Sequence, residues 1–288
     1  MSGWRLSCLP HKVYDFLYQF NPHFRSAQGR HFGLFCWLLV ALILDQGKGT
    51  LKGLSRHLPP RLRHWILLRM VRSGQWDAHK LLSEMVGQVL LWLPAPADGV
   101  LYLLGDSTLK QKRGQKHPLD RKARMNESAG YAFGFEMVLL VACWDHYRIP
   151  VALAVIDPTI RGHEDFLFRQ ILQAFESPRW AHRVVALGDA GFVANKTLAV
   201  IQEKGYYYVF AMARMRKFRD GKHLIDLVRH LPKSCYRRVA SYKPDGRRRD
   251  YWVYARRAQL HNCTTWVMSR WFYRKDGATM GPSKLRSS

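Results

Sequence analysis

The sequence predicts an α/β fold: a mixed sheet with flanking helices, preceded by a small helical domain and followed by a β-rich region. Three observations carry this. Two apolar runs, 100–106 and 184–189, both end in Leu-Gly-Asp, as strands do when they are buried on both faces and stop at an acid that could not be buried unpaired. Between residues 12 and 93 the apolar residues recur at helical spacing. After residue 213 the apolar runs become short, aromatic and β-branched.

The helical segments fall at 13–20, 31–44, 51–57, 62–71 and 78–93, punctuated by Pro22, Gly47 and Gly49, Pro59 and Pro60, Gly74, and Pro94 and Pro96. Thr50 suits the cap of the third segment, and a basic helix follows it, so a helix-turn-helix is one reading and a structural cap on the core is the other. Pro94-Ala95-Pro96-Ala97-Asp98-Gly99 reads as a linker, which sets domains at 1–97 and 98–212. The first strand ends at Asp106, and the polar, basic stretch from Lys110 to Pro118 reads as a loop beside it. Runs 133–144 and 149–156, split by Asp145-His146-Tyr147-Arg148, suggest a hairpin. Gly162-His163-Glu164-Asp165 opens a helix to about 175 with acids in the first turn, where the helix dipole favours them. The second Leu-Gly-Asp strand, a helix over 194–204 and a strand over 206–212 complete the core. A basic β-rich region spans 213–270, with strands at 236–242, 251–257 and 264–269 and a basic turn over 243–249, and an irregular tail spans 271–288.

The chain has 288 residues, 48% hydrophobic and 13% aromatic, enough for a sizeable core, and a net charge of +25. A polyanion is the simplest partner for such a charge, with nucleic acid ahead of an acidic membrane surface. The excess is uneven: residues 213–288 carry 20 Lys/Arg against 5 Asp/Glu, whereas 100–212 carry 14 against 11. That pattern suits a core flanked by basic regions. Five cysteines, Cys8, Cys36, Cys143, Cys235 and Cys263, form no CxxC, so neither a disulfide framework nor a zinc site is indicated and a reducing cytoplasm fits. The best apolar run, 32–44, is shorter than the ~20 residues of a membrane span, and no membrane role is expected.

If the two Leu-Gly-Asp strands lie side by side and parallel, Asp106 and Asp189 emerge at the same sheet edge. Two facing carboxylates repel unless a cation lies between them, and a hard divalent ion is the natural candidate. The strand-strand-strand-helix-strand-helix-strand order from residue 100 is that of the ribonuclease H-like (retroviral integrase-type) fold. With Leu104-Gly105-Asp106-Ser107-Thr108-Leu109-Lys110 and Ala186-Leu187-Gly188-Asp189-Ala190-Gly191-Phe192, the chain resembles the DDE-type transposases of bacterial insertion sequences that carry a β-rich insertion. The resemblance implies a nucleoid-associated cytoplasmic protein, with a homodimer among the expected states. It would bind double-stranded DNA at transposon ends and target, and catalyse phosphodiester hydrolysis and strand transfer. It also implies two Mg²⁺ (or Mn²⁺) ions, Asp106 bridging both and Asp189 holding one, with in-line attack on a phosphodiester; two-metal sites space their ions ~3.5–4 Å apart. Thr108, Lys110, Lys112, Arg113 and Lys116, beside the first acid, and Arg247, Arg248 and Arg249, in the basic turn, are the expected DNA contacts.

The family's third acid, a Glu in a Tyr-x-x-Arg-x-x-x-Glu pattern, has no counterpart, because no Glu follows Glu203. Glu203 ends a helix one element too early, and Asp276 lies on a Gly-bearing tail without helical pattern. The expectation is a C-terminally truncated copy, impaired in catalysis, with one face of its sheet uncovered. Two other classes stand beside it: a non-catalytic DNA-binding regulator of an intact transposase, and an unrelated two-acid metal nuclease. Ser107 as a covalent nucleophile is a rival reading of the first motif, and no Ser-His-Asp spacing supports it.

Overall fold

The structure is a computed structural model that describes residues 11–24, 30–45, 49–59, 62, 64–74, 76–111, 118–124, 131–211, 217–229, 231–242, 248–260 and 263–271. Contacts divide the chain into two compact units, 1–94 and 95–288.

In the first unit the helical periodicity becomes α1 (His11–Tyr18), α2 (Arg30–Leu44), α3 (Leu51–Leu54), α4 (His64–Ser73) and α5 (Ala78–Trp92). Capping fixes two of the starts. Thr50 Oγ1 accepts the Gly53 N–H at 3.1 Å to open α3, which tightens into a 3₁₀ turn over Ser55–His57. Asp77 accepts the Lys80 N–H at 3.0 Å to open α5, and that bond holds its carboxyl below the usual range. The α2 helix is apolar beyond its first turn and supplies Phe32, Leu34, Phe35, Cys36, Trp37 and Ala41 to the core. Phe24 stacks on Trp76 beside them, with ring centroids 5.9 Å apart. Burial pushes the Cys36 thiol up to about 12, so this cysteine is a small core side chain and not a nucleophile.

The second unit is built on a six-stranded mixed sheet. Its strands are β1 (Val100–Gln111), β2 (Arg121–Arg124), β3 (Tyr131–Trp144), β4 (Tyr147–Val155), β5 (Arg183–Gly188) and β6 (Tyr207–Phe210), ordered β2-β3-β1-β5-β6 with β4 paired to β3. Antiparallel pairing joins β1, β2 and β4 to β3, while β1–β5 and β5–β6 are parallel. Helices α6 (His163–Ala174) and α7 (Asn195–Glu203) provide the parallel crossovers. The α6 side chains Phe168 and Leu172 are fully buried. Downstream come the short α8 (Leu224–Arg229) and a separate three-stranded antiparallel sheet of β7 (Arg237–Tyr242), β8 (Arg248–Leu260) and β9 (Cys263–Trp271).

Several expectations need correction. The first strand does not stop at Asp106: pairing with the 14-residue β3 carries β1 on to Gln111, so Thr108 and Lys110 are strand residues rather than the start of a loop. In the same way β8 begins at Arg248, opposite Tyr242, which places Arg248 and Arg249 in a strand rather than a turn. Strand β2 and helix α8 were not expected, being short and without clear periodicity. Lys112, Arg113, Lys116, Arg247 and the tail with Asp276 lie outside the described residues.

Candidate active site

The parallel pairing of β1 with β5 runs from Val100↔Arg183 to Leu104↔Leu187. Asp106, on β1, and Asp189, just past the end of β5, each lie two residues beyond that last pair, so the two acids leave the sheet at the same edge. Both are exposed. Each carboxylate is oriented by a backbone amide just after it: Asp106 Oδ1 accepts the Ser107 N–H at 2.9 Å, and Asp189 Oδ1 accepts the Gly191 N–H at 2.8 Å. The Asp189 bond caps the 3₁₀ turn Ala190–Phe192 that carries the chain away from the sheet. One oxygen of each acid, Oδ2, points to no protein donor among the described residues.

The glycine before each acid has a packing cause. A Cβ at Gly105 would stand 2.2 Å from the Phe168 ring, and one at Gly188 would stand 2.5 Å from Phe210 and 3.4 Å from Phe192. Phe168 in turn packs on Phe192, with centroids 4.4 Å apart, and edge-on to Phe210 at 6.4 Å. Three rings from α6, the 3₁₀ turn and β6 therefore press against the backbone one residue ahead of each carboxylate. Strand alternation then turns the acids to the opposite, open face. The Gly repeated in the two Leu-Gly-Asp phrases is the sequence signal of this aromatic buttress, beside the Asp that marks the site.

Along β1 the positions Tyr102, Leu104, Asp106, Thr108 and Lys110 alternate as exposed residues, with Gln111 exposed at the strand's end, so Thr108 and Lys110 share the face of Asp106 at two-residue steps beyond it. His163, Glu164 and Asp165 at the start of α6 have structural roles. His163 Nδ1 accepts the Asp157 N–H at 2.8 Å, and Asp165 accepts the Thr197 hydroxyl at 2.5 Å and pairs with Arg169 at 3.2 Å. Glu136, on β3 opposite Leu109, pairs with Arg121 of β2 at 2.5 Å. Burial raises the Glu136 pKa; Arg121 counters that and Glu164 adds to it. Glu203 is the last residue of α7.

Two carboxylates with free oxygens suit a hard cation such as Mg²⁺, which keeps several waters and takes one or two protein carboxylates. Among the described residues no group of three His, Cys, Asp or Glu assembles. The carboxylates of Asp106 and Asp189 thus fit a hard cation completed by water.

No family model and no curated protein matches the chain. Among solved structures, it is similar to the piggyBac transposase synaptic complex with hairpin DNA, at 10% identity over 88% of this chain and 55% of that one, with a TM-score of 0.39. The Mos1 strand transfer complex matches at 15% identity over 62% of this chain and 58% of that one, with a TM-score of 0.23. The Drosophila P element transposase strand transfer complex matches at 12% identity over 68% and 42%, with a TM-score of 0.22. The chain therefore spans little more than half the length of the first two.

Proposed function

We propose that this chain is a DDE-type transposase of a bacterial insertion sequence, with a ribonuclease H-like core, acting on double-stranded DNA at transposon ends and target. The observation that supports this reading best is that Asp106 and Asp189 leave adjacent parallel strands at the same sheet edge, with one oxygen of each carboxylate meeting no donor among the described residues. Asp106 and Asp189 would hold Mg²⁺, which when bound activates an attacking water or 3′-hydroxyl and stabilises the leaving oxygen of a phosphodiester. The chain's own part is positional. Backbone amides of Ser107 and Gly191 fix the two carboxylates, the rings of Phe168, Phe192 and Phe210 hold the strand ends rigid, and Thr108 and Lys110 continue the same face where a phosphate backbone would run. The basic β7–β9 sheet with Arg248 and Arg249 supplies further phosphate contacts.

Metal binding is the direct readout of the two carboxylates. Titration of Mn²⁺ followed by electron paramagnetic resonance should show a bound ion in the wild type that is lost in Asp106→Ala and in Asp189→Ala, while duplex binding persists in both. Unchanged Mn²⁺ binding in the two variants would overturn the proposal.

A further inference from the structure

Three strands run on past Asp106 as an arm. Pairing carries β1 out to Gln111 and brings β3 in from Tyr131, and β2 lies along the other side of β3, so β3 is the arm's central strand. Two contacts hold it together. On the face opposite Asp106, the largely buried Glu136 of β3 pairs with Arg121 of β2. At Gly134 the missing side chain lets β1 close in, since a Cβ there would stand 2.1 Å from the Lys110 carbonyl oxygen.

The face that carries Asp106 has a different composition. Asp106 lies opposite Leu139, so Phe135, Phe133 and Tyr131 follow outward along β3 on that same face at two-residue steps. Lys110 stands opposite Phe135 on one side of this row, and Lys122 opposite Phe133 on the other. Both lysines are exposed, Tyr131 is 63% exposed and the two phenyl rings are half-buried. The Lys122 ammonium lies 4.7 Å from the Tyr131 ring centre, which sets cation and ring side by side. The acids nearest this face, Asp106 and Asp120, lie toward the root of the arm, and one Asp120 oxygen is buried. Glu136 turns to the other face with Arg121, and the Asp157 carboxylate accepts from the Thr159 amide and hydroxyl. Outward of the root, no carboxylate shares the face among the described residues of the arm.

Rings in a row with cations on both sides suit a nucleic-acid strand, whose bases stack on the rings while its phosphates meet the ammonium groups. Spacing favours one strand over two. Alternate residues of β3 stand ~6.8 Å apart, twice the ~3.4 Å per nucleotide along one strand of a duplex, and duplex bases are already stacked on one another. We propose that the arm binds an unpaired, extended strand of DNA, with bases on Tyr131, Phe133 and Phe135 and phosphates at Lys110 and Lys122. Phe135 is level with Lys110, four residues or ~13 Å beyond Asp106. The stacked bases then begin about two nucleotides from a phosphodiester held at the acids; this placement rests on the transposase reading, whereas strand binding is measured without it.

The test is fluorescence anisotropy with the full 288-residue chain, a short labelled oligothymidylate and a duplex of the same length. Tyr131→Ala is expected to weaken single-strand binding about tenfold and to leave duplex binding unchanged, while Tyr131→Phe, which keeps the ring, binds both like wild type. Lys122→Ala should lower the salt slope on the single strand by about 0.7. Both positions are exposed, so these variants should keep the wild-type circular dichroism and the Mn²⁺ signal. A wild type that binds no Mn²⁺ yet shows these strand effects would refute the metal site and uphold the arm. Three results overturn the arm even where Mn²⁺ binds: a single-strand affinity unchanged in Tyr131→Ala, an equal loss on strand and duplex, or a Tyr131→Phe as weak as the alanine variant.

Discussion

At Gly105 and Gly188 the space a side chain would need is taken by aromatic rings, so the smallest substitution at either should be felt. A methyl at Gly105 must displace Phe168, which is fully buried and pinned by Phe192. Overpacking of this kind costs about 1–3 kcal/mol. Urea denaturation of Gly105→Ala and Gly188→Ala should each show a loss in that range, whereas Asp106→Asn, exposed and keeping an oxygen for the Ser107 amide, should change stability by less than about 0.5 kcal/mol. Equal stability of Gly105→Ala and wild type would mean the buttress does not bear on the strand. That Asp106 and Asp189 come to one sheet edge was legible in the sequence because each follows an apolar run that suits a buried strand, although β1 continues past its acid to Gln111. The rings beneath them were not, since Phe168, Phe192 and Phe210 come from three elements and meet only through the fold.

Elements were legible where their signal was local: the hairpin of β3 and β4, the first-turn acids and extent of α6, the Thr50 cap, and the apolar length of α2. Strand ends were not, because β1 and β8 continue for as long as their partners supply ladder bonds, a property of β3 and β7 rather than of the strand's own residues. The tie between α6 and α7 was equally invisible. Thr197 is fully buried, and its hydroxyl donates to Asp165 across 32 residues of sequence. In Thr197→Val the isosteric side chain fills the space but withdraws that donor. Thermal or urea unfolding should then show a loss of about 1–3 kcal/mol, against little change for Thr197→Ser, which keeps the hydroxyl. A second expectation concerns Glu136 under α6, whose pKa is raised by burial despite Arg121. For an acid raised in the folded state, its stabilising contribution is present below the unfolded-state pKa and is lost as pH rises through the folded value. Stability measured from pH 4 to 7 should therefore fall less in Glu136→Gln than in wild type, and parallel curves would count against it.

For the molecule as a whole, the net charge of +25 opposes compaction and self-association unless a polyanion or an acidic surface answers it. Residues 213–288 hold +15 of that excess, and within them β7 and β8 pair Arg237 with Val253, Arg238 with Trp252 and Tyr242 with Arg248, setting cations beside aromatic and apolar positions along the ladder. If this sheet tracks a phosphate backbone, binding is driven by counterion release, and its logarithm falls with the logarithm of salt at a slope of about −0.9 per neutralised phosphate. Contact with 6–10 phosphates predicts a loss of roughly 10³–10⁵ in affinity for a labelled duplex between about 50 and 200 mM salt, read by fluorescence anisotropy. Arg248→Ala and Arg249→Ala should each lower the slope by about 1 and weaken binding alike on every duplex sequence, as phosphate contacts do. Asp106→Ala should leave the slope unchanged, since it removes no cation. A slope near zero would assign the charge to some partner other than a nucleic acid. An unchanged slope in both arginine variants would move the phosphate track off β8 and toward the face that Lys110 shares with Asp106.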